Sequence, residues 1–256
     1  VTESTPSSPF DLHGRCAVVT GASRGIGRAI ALGLTRAGAE VVLVGRPGSN
    51  DATREAVVGL GGKVDVVELD MGDLAAVERV GAELAASRQV DVLVNNAGTI
   101  DRQDTVDLAR EDWERVLDVN LNGVFLLTQQ VGRTMVARGH GKVVSIASLL
   151  TFQGGIRVAS YAASKHAVAG LTKALANEWG PHGVQVNAIA PGYIATDNTT
   201  ALREDPDRAR SILERIPAGR WGSADDIAGT AVFLSSSAAD YVNGHVLVVD
   251  GGWMAR

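Results

Sequence analysis

Short runs of aliphatic residues recur along the chain, and between them apolar positions repeat at helical spacing. The runs are Cys16–Thr20, 40–44, 63–70, 91–95, 142–148, Val184–Pro191 and 245–250. They are rich in valine and do not alternate strictly with polar residues. That pattern suits parallel strands covered on both faces. Leu74, Val77, Val80 and Leu84 form one helical stripe. A longer one joins Trp113, Val116, Leu117, Leu121, Val124, Leu127 and Val131, and a third joins Val168, Leu171, Leu175 and Trp179. Ser223 followed by Asp226 predicts a capped start for a helix carrying Ile227, Ala231 and Leu234. Strand–helix alternation of this kind predicts an α/β fold with a doubly wound parallel sheet. No linker or internal repeat divides the chain, so residues 10–256 read as a single domain behind a short disordered lead at 1–9. The stretch from about 191 to 222 reads as a long irregular loop of the kind that covers a binding site.

Composition narrows the function. The 256 residues are 45% hydrophobic, which excludes a disordered chain. A net charge of −5 without a basic tract argues against a nucleic-acid partner. No apolar run approaches the ~18 residues of a membrane span, and the first residues lack the basic-then-apolar order of a secretory signal. The one cysteine, Cys16, excludes an internal disulfide and fits a reducing compartment, so a cytoplasmic protein is expected.

Thr20-Gly21-Ala22-Ser23-Arg24-Gly25-Ile26-Gly27 closes the first strand and opens the first helix. Glycines there permit a tight turn, and the helix N-terminus offers free N–H groups to a pyrophosphate. The spacing G-x-x-x-G-x-G is neither the usual dinucleotide fingerprint nor a Walker loop. Asn95-Asn96-Ala97-Gly98 ends the fourth run, as a turn or as a ligand-holding strand end. Asn120 lies on an apolar helix face. A buried amide needs hydrogen-bond partners, so it is either a satisfied core residue or part of a site. Tyr161 and Lys165 are one helical turn apart. A neighbouring ammonium lowers a phenol's pKa and fits it for proton transfer. Ser148, at the end of the fifth run, is placed to hydrogen-bond the same substrate oxygen or to cap the strand.

Taken together, TGASRGIG, NNAG, Asn120, Ser148, Tyr161-x-x-x-Lys165 and Pro191-Gly192 resemble the short-chain dehydrogenase/reductase family in order and spacing, over nearly the whole chain. The resemblance implies a Rossmann-like parallel sheet of seven strands with helices on both faces, and a nicotinamide cofactor. It implies the catalytic set Asn120, Ser148, Tyr161 and Lys165. The serine would orient the carbonyl and the tyrosine would transfer the proton. The lysine would bind the nicotinamide ribose and lower the tyrosine pKa, and the asparagine would hold a relay water. Cofactor contacts are implied at Gly21, Ser23, Arg24, Gly25, Ile26, Gly27, Arg46, Asp70, Met71, Asn96, Ala97, Gly98, Tyr161, Lys165, Pro191, Gly192, Ile194 and Thr196. FQGGIRVASYAASK, APGYIATDNT, IPAGRWG and DGGWMAR are similar to the narrower 2-dehydro-3-deoxy-D-gluconate 5-dehydrogenase group, also called 2-deoxy-D-gluconate 3-dehydrogenases. That similarity implies a small keto- or hydroxy-sugar acid. A 3-oxoacyl carrier-protein reductase, a general carbonyl reductase and a non-catalytic nucleotide sensor are the alternatives. The polar stretch 197–207 favours the small polar substrate, and the tyrosine–lysine pair argues against a sensor.

A sugar acid brings a carboxylate, for which the fork of Arg157 is suited; an exposed loop charge is the competing reading. Gln153 and Arg220 are further candidates, and no metal is expected. The second run ends Val44-Gly45-Arg46, with glycine where NAD-specific relatives carry an acid. Arg46, with Arg24 opposite, points to NADP over NAD. Sparse charge on the helices at 111–136 and 161–179 and the family resemblance lead to a homotetramer, with Trp253 and the tail reaching a neighbouring subunit's site.

Overall fold

The computed structural model describes residues 8–256; of the expected lead, residues 1–7 lie outside the described residues. Pro9 is tied to the body, its carbonyl accepting from Ala238 N at 3.1 Å. The strands are β1 (Cys16–Thr20), β2 (Glu40–Gly45), β3 (Val64–Glu68), β4 (Val92–Asn95), β5 (Gly141–Ile146), β6 (Val184–Pro191) and β7 (Val246–Val249). They form a seven-stranded sheet, ordered β3-β2-β1-β4-β5-β6-β7, with parallel pairing throughout. The order reverses between β1 and β4. Such a switch point opens a crevice at the carboxyl ends of the strands.

Side chains alternate across the sheet into two cores. Val19, Leu43, Val94 and Val144 face α1 (Gly25–Arg36) and α9 (Ala224–Ser235). Val18, Val42, Leu93 and Val143 face α3 (Leu74–Ser87), α5 (Gly123–Arg138) and α6 (Ala159–Trp179). The remaining helices are α2 (Asp51–Gly59), α4 (Arg110–Leu117), α7 (Thr200–Glu204) and α8 (Pro206–Arg215). Covering on both faces explains the near-continuous valine runs of the central strands. β3 departs from that expectation: it is an edge strand, and Val66 is exposed.

Three local readings are corrected. The apolar stripe from Trp113 to Val131 predicts one helix, but α4 and α5 are joined by a π-helical turn, Asp118–Asn122. Immediately after it, a Cβ on Gly123 would stand 2.4 Å from the Met71 carbonyl, so only glycine lets the chain pass there. Ser148 does not end a strand. β5 stops at Ile146, and Ser148 caps the 3-10 turn Leu149–Thr151, accepting from Leu150 N at 3.2 Å. The stretch expected to be irregular up to residue 222 carries α7 and α8. Asp205 caps α8 by accepting from Asp207 N and Arg208 N, and Pro206 occupies the first turn. The Ser223–Asp226 capping box opens α9 as expected.

Candidate active site

The carboxyl ends of β1 and β4 meet across the switch point. Asn96 Nδ2 donates to the carbonyls of Thr20 (2.9 Å) and Gly21 (3.0 Å), and Thr20 Oγ1 accepts from the backbone of Asn96 and Ala97. The strand end therefore buckles the glycine turn shut from below. Gly21 and Gly25 have φ of +63° and +53°, a region that favours glycine. A Cβ on Gly27 would lie 2.2 Å from the Gly21 carbonyl. α1 can approach the turn only without side chains, which leaves a concave backbone cradle at a helix N-terminus. Such a cradle fits a pyrophosphate.

The other expected cofactor positions surround this cradle. Ser23 and Ile26 lie in the turn and first helical turn, half-buried. Asp70 is exposed, its Oδ1 accepting from Gly72 N, and Met71 is buried beside it. Pro191 ends β6, and Gly192 N donates to Val249 O at 2.9 Å. Ile194 is buried and bridges to Gly222. Thr196 caps the 3-10 turn Asp197–Thr199, and its methyl lies 3.4 Å from where a Gly25 Cβ would be. The substrate loop thus leans over the glycine turn. Arg24 pairs with Asp197 of that loop at 3.2 Å rather than pointing alone at a phosphate. Arg46 is exposed just beyond β2. A Cβ on Gly45 would meet Asn50 Nδ2 at 2.8 Å and Ser49 Oγ at 2.9 Å, so a side chain here would have to displace both.

The proton-handling candidates gather beyond β5. The Ser148 hydroxyl lies close enough to the Tyr161 phenol to favour its ionised form. Lys165 is buried, donates from Nζ to the Ile146 carbonyl at 2.6 Å, and stands 5.5 Å from the Tyr161 ring centre. Burial raises the Tyr161 pKa, while the neighbouring Ser148 hydroxyl and the positive charge of Arg102 pull it back. Burial also shifts Lys165, down to about 8. Asn120 is buried and fully occupied. Its Oδ1 accepts from Thr99 N (2.8 Å), and its Nδ2 donates to Thr99 O (2.9 Å) and Ser164 Oγ (3.1 Å). It therefore ties the loop after Gly98 to α6. Ser164 in turn donates to the Tyr161 carbonyl at 2.7 Å.

The three substrate candidates are not brought together equally. Gln153 is half-buried at the end of the Ser148 turn, its N–H bonded to Leu149 O. Arg157 precedes α6 with φ +63°, the one non-glycine residue at positive φ among the described residues. Its Nε pairs with Asp104 at 3.3 Å. Arg220 is held by both oxygens of Asp226 at 2.7 and 2.8 Å, and this pairing drives the Asp226 pKa far down. Its charge is taken up by that carboxylate. Sequence reasoning missed Arg102, whose only signal is a cation a few residues past a strand's carboxyl end. It also missed the aromatic wall of Tyr193, Trp221 and Trp253, with ring centres 5.6 and 4.6 Å from Tyr193. Trp253 is buried among residues of its own chain.

A backbone cradle for a dinucleotide, opposite a hydroxyl pair beside a buried ammonium, belongs to the nicotinamide-dependent oxidoreductases of the doubly wound α/β class. The chain belongs to the short-chain dehydrogenase/reductase family, residues 21–254 matching its model described as Enoyl-(Acyl carrier protein) reductase. It is 56% identical to the 2-dehydro-3-deoxy-D-gluconate 5-dehydrogenase of Bacillus subtilis strain 168, over 96% of this chain and 97% of that one. A solved structure from Beutenbergia cavernae, provisionally named an NAD(P)-dependent gluconate 5-dehydrogenase and holding NADP at low occupancy, superposes with a TM-score of 0.96. It shares 54% identity over 97% of this chain and 100% of its own. A gluconate 5-dehydrogenase from Burkholderia cenocepacia J2315, in complex with NADP and tartrate, gives a TM-score of 0.92 at 40% identity, covering 97% and 99%.

Proposed function

We propose that this protein is an NADP-dependent dehydrogenase that interconverts a hydroxyl and a keto group on a small sugar acid of the 2-dehydro-3-deoxy-D-gluconate type. The observation that carries the substrate class is the 56% identity to a dehydrogenase of that name along almost the full length of both chains. The cradle of Gly21, Gly25, Gly27 and Asn96 fits a dinucleotide. The glycine at position 45, backed by Asn50 and followed by Arg46, favours NADP, with NAD as the weaker alternative. The nicotinamide, when bound, gives or takes the hydride.

This chain's own residues do the rest. The Ser148 hydroxyl orients the substrate oxygen and holds the Tyr161 phenol. In the reductive direction Tyr161, which burial favours as the neutral phenol, donates its proton to the oxygen as negative charge develops there; in the oxidative direction the phenolate left by that step is the form that takes the proton from the alcohol. Arg102 lends positive charge at that oxygen. Lys165 presents an ammonium with no carboxylate partner among the described residues, ready for a ribose hydroxyl. Asn120 holds the Thr99 backbone and, with Ser164, the start of α6. Arg157 and Gln153 border the substrate entrance, whereas Arg220 braces the loop through Asp226.

Among the described residues no helix is long and apolar enough to cross a membrane. We assign the protein to the cytoplasm as a homotetramer of single-domain chains. The half-buried side chains of edge strand β7 and the exposed Phe125 of α5 support self-association. Sedimentation at micromolar concentration tests the assembly; a monomer overturns it. The activity is tested by a panel of keto-sugar acids and 3-oxoacyl thioesters, followed by NAD(P)H absorbance with both cofactors. Reduction of a keto-sugar acid with NADPH is expected. Selective turnover of the thioester overturns the substrate class.

A further inference from the structure

The chain does not end loosely after β7. The Asp250 carboxylate accepts from Gly252 N and Met254 N, each at 2.8 Å, and folds the last residues into a 3-10 turn, Trp253–Ala255. This turn packs against α8. Trp253, 5% exposed, shares one apolar cluster with Leu149, Ile212 and Ile216. The Arg215 guanidinium lies over the Trp253 ring, 3.9 Å from its centre. Arg256 Nη1 donates to Glu214 O at 2.9 Å, and Ala218 N donates to Gly251 O at 3.0 Å. The C-terminal end of α8 is therefore gripped from outside by the tail. The same indole touches the other side of the cleft: Tyr193 is 4.6 Å away, and Leu149 directly follows Ser148.

Two features show what the indole is for. Its Nε1 is buried with no hydrogen-bond partner. A buried donor without an acceptor is a cost, so the polar atom is not what makes this residue useful. The face of the ring is: one cation stacks on it, and an aromatic and three aliphatic residues surround it. α8 buries only Ile212 fully, with Ala209 and Leu213 half-buried, and its sequence is strongly charged. Its own apolar stripe is narrow, and the tail widens the contact.

We propose that Trp253 and Arg215 form a latch that fixes α8 against Leu149 beside Ser148, making residues 250–256 a positioning element for substrate binding. This rests on the proposed sugar-acid site at Ser148 and Tyr161, to which Leu149 joins Ile212 of α8. Loosening the latch lowers the fraction of molecules whose α8 is in place, and apparent substrate affinity falls in proportion to that fraction. The proton chemistry of molecules that do bind substrate is untouched. The effect is therefore a rise in KM at nearly constant kcat, with NADPH affinity unchanged.

The test compares Arg215→Ala, Trp253→Ala and Trp253→Phe in the full-length protein. Arg215 is exposed, so its loss leaves the core intact; KM should rise about threefold, as for loss of an exposed cation–ring contact. Trp253→Ala should raise KM on the order of tenfold. Trp253→Phe keeps an aromatic face and removes the orphan N–H, and its KM should stay within about twofold of the parent. NADPH dissociation constants, read by fluorescence, should not move. Limited trypsin digestion without substrate should cut faster after Arg203, Arg208 and Arg210 in both alanine variants. That arm does not depend on which substrate the enzyme uses. If no sugar acid is turned over, faster cutting still supports the latch and unchanged cutting overturns it. An unchanged KM in Trp253→Ala, a loss confined to kcat, or a Trp253→Phe as impaired as Trp253→Ala overturns it as well. Should Trp253→Ala not fold, an unaltered KM and digestion pattern in Arg215→Ala overturns it.

Discussion

Strand β5 has a buried ammonium at each end, and the two are handled in opposite ways. At its start, Lys142 Nζ donates to Asp240 at 2.6 Å. Around it lies a network in which charges meet counter-charges. Asp91 accepts from Cys16 N and Gln89 Nε2, with Arg15 and Arg138 at 3.6 and 3.7 Å. Arg15 donates to His140 Nε2 at 2.8 Å, which requires a neutral imidazole, and burial together with Arg15 holds the His140 pKa down. At the other end, Lys165 has the Ile146 carbonyl at 2.6 Å and no carboxylate partner among the described residues. Burial shifts both lysines downward, but at Lys142 the Asp240 carboxylate opposes the shift, and at Lys165 burial acts alone. Burial of a charge does not distinguish structure from function here. The missing counter-charge does: the ammonium without one is the one we propose to meet a ligand.

The contrast can be broken most forcefully at the carboxyl end. Tyr161→Phe should cut kcat on the order of 10²–10⁴-fold with NADPH affinity retained; near-normal turnover would remove the tyrosine from the mechanism. Next in size is Arg46→Ala, which should weaken NADP binding about tenfold to a hundredfold, the worth of a charge-assisted contact. NAD binding should barely change, and kcat/KM for both cofactors reads the outcome. At the amino end, Asp240→Asn leaves the Lys142 ammonium buried without its carboxylate. A cost of about 1–2 kcal/mol in denaturant unfolding is expected, because Asp240 is largely in water and water partly replaces it. Activity of the folded fraction should be unaltered. Lys142→Met should cost less, since Asp240 simply returns to solvent. If Asp240→Asn changes kcat instead, the two ends are not separate.

The smallest effect is the most diagnostic. The folded-state pKa of Lys165, about 8, lies below the unfolded value of roughly 10.4. The folded, ligand-free protein thus binds fewer protons than the unfolded chain between those values, and stability rises with pH across that window. Below about pH 8 the burial penalty is complete. An inactive Lys165→Met variant should therefore gain most in melting temperature over the parent at pH 7, and the gain should shrink by pH 10. A pH-independent difference would mean that Lys165 is not held against its own ionisation.

What the sequence reveals of these two ends differs for physical reasons. Tyr161 and Lys165 stand one turn apart on one helix, and the glycine turn joins a strand directly to its helix. Both are set by local geometry and can be read from spacing. The valine runs identify the strands because a sheet covered on both faces has no polar face to betray it. The Lys142–Asp240 pair joins residues 98 apart, and Asp91 meets Cys16 from 75 residues away. No spacing rule reaches that far. Arg102 and Trp253 are hidden for the same reason, as each matters only through what the fold sets against it. α7 and α8 escape a reading of apolar periodicity because they are short: α7 has five residues, and the stripe of α8 is only Ala209, Ile212 and Leu213, although Asp205-Pro206 marks a helix start.

The π-helical turn at Asp118–Asn122 has a consequence for how this chain can change. It places one residue more than an α-helix would between the buried Val116 of α4 and the buried Val124, Leu127 and Val131 of α5. Each residue advances a helix by about 100°. The extra residue is taken up within the turn, so removing one residue there would relax the backbone into regular α-helix and leave Val124, Leu127 and Val131 facing the core. Removing one residue inside α5 would instead rotate all that follows by that angle and bring Gly132 and Val136 to the places that Val131 and Met135 now fill. The turn is thus a residue of slack in the chain: a single deletion at 118–122 is tolerated where one a few residues later is not.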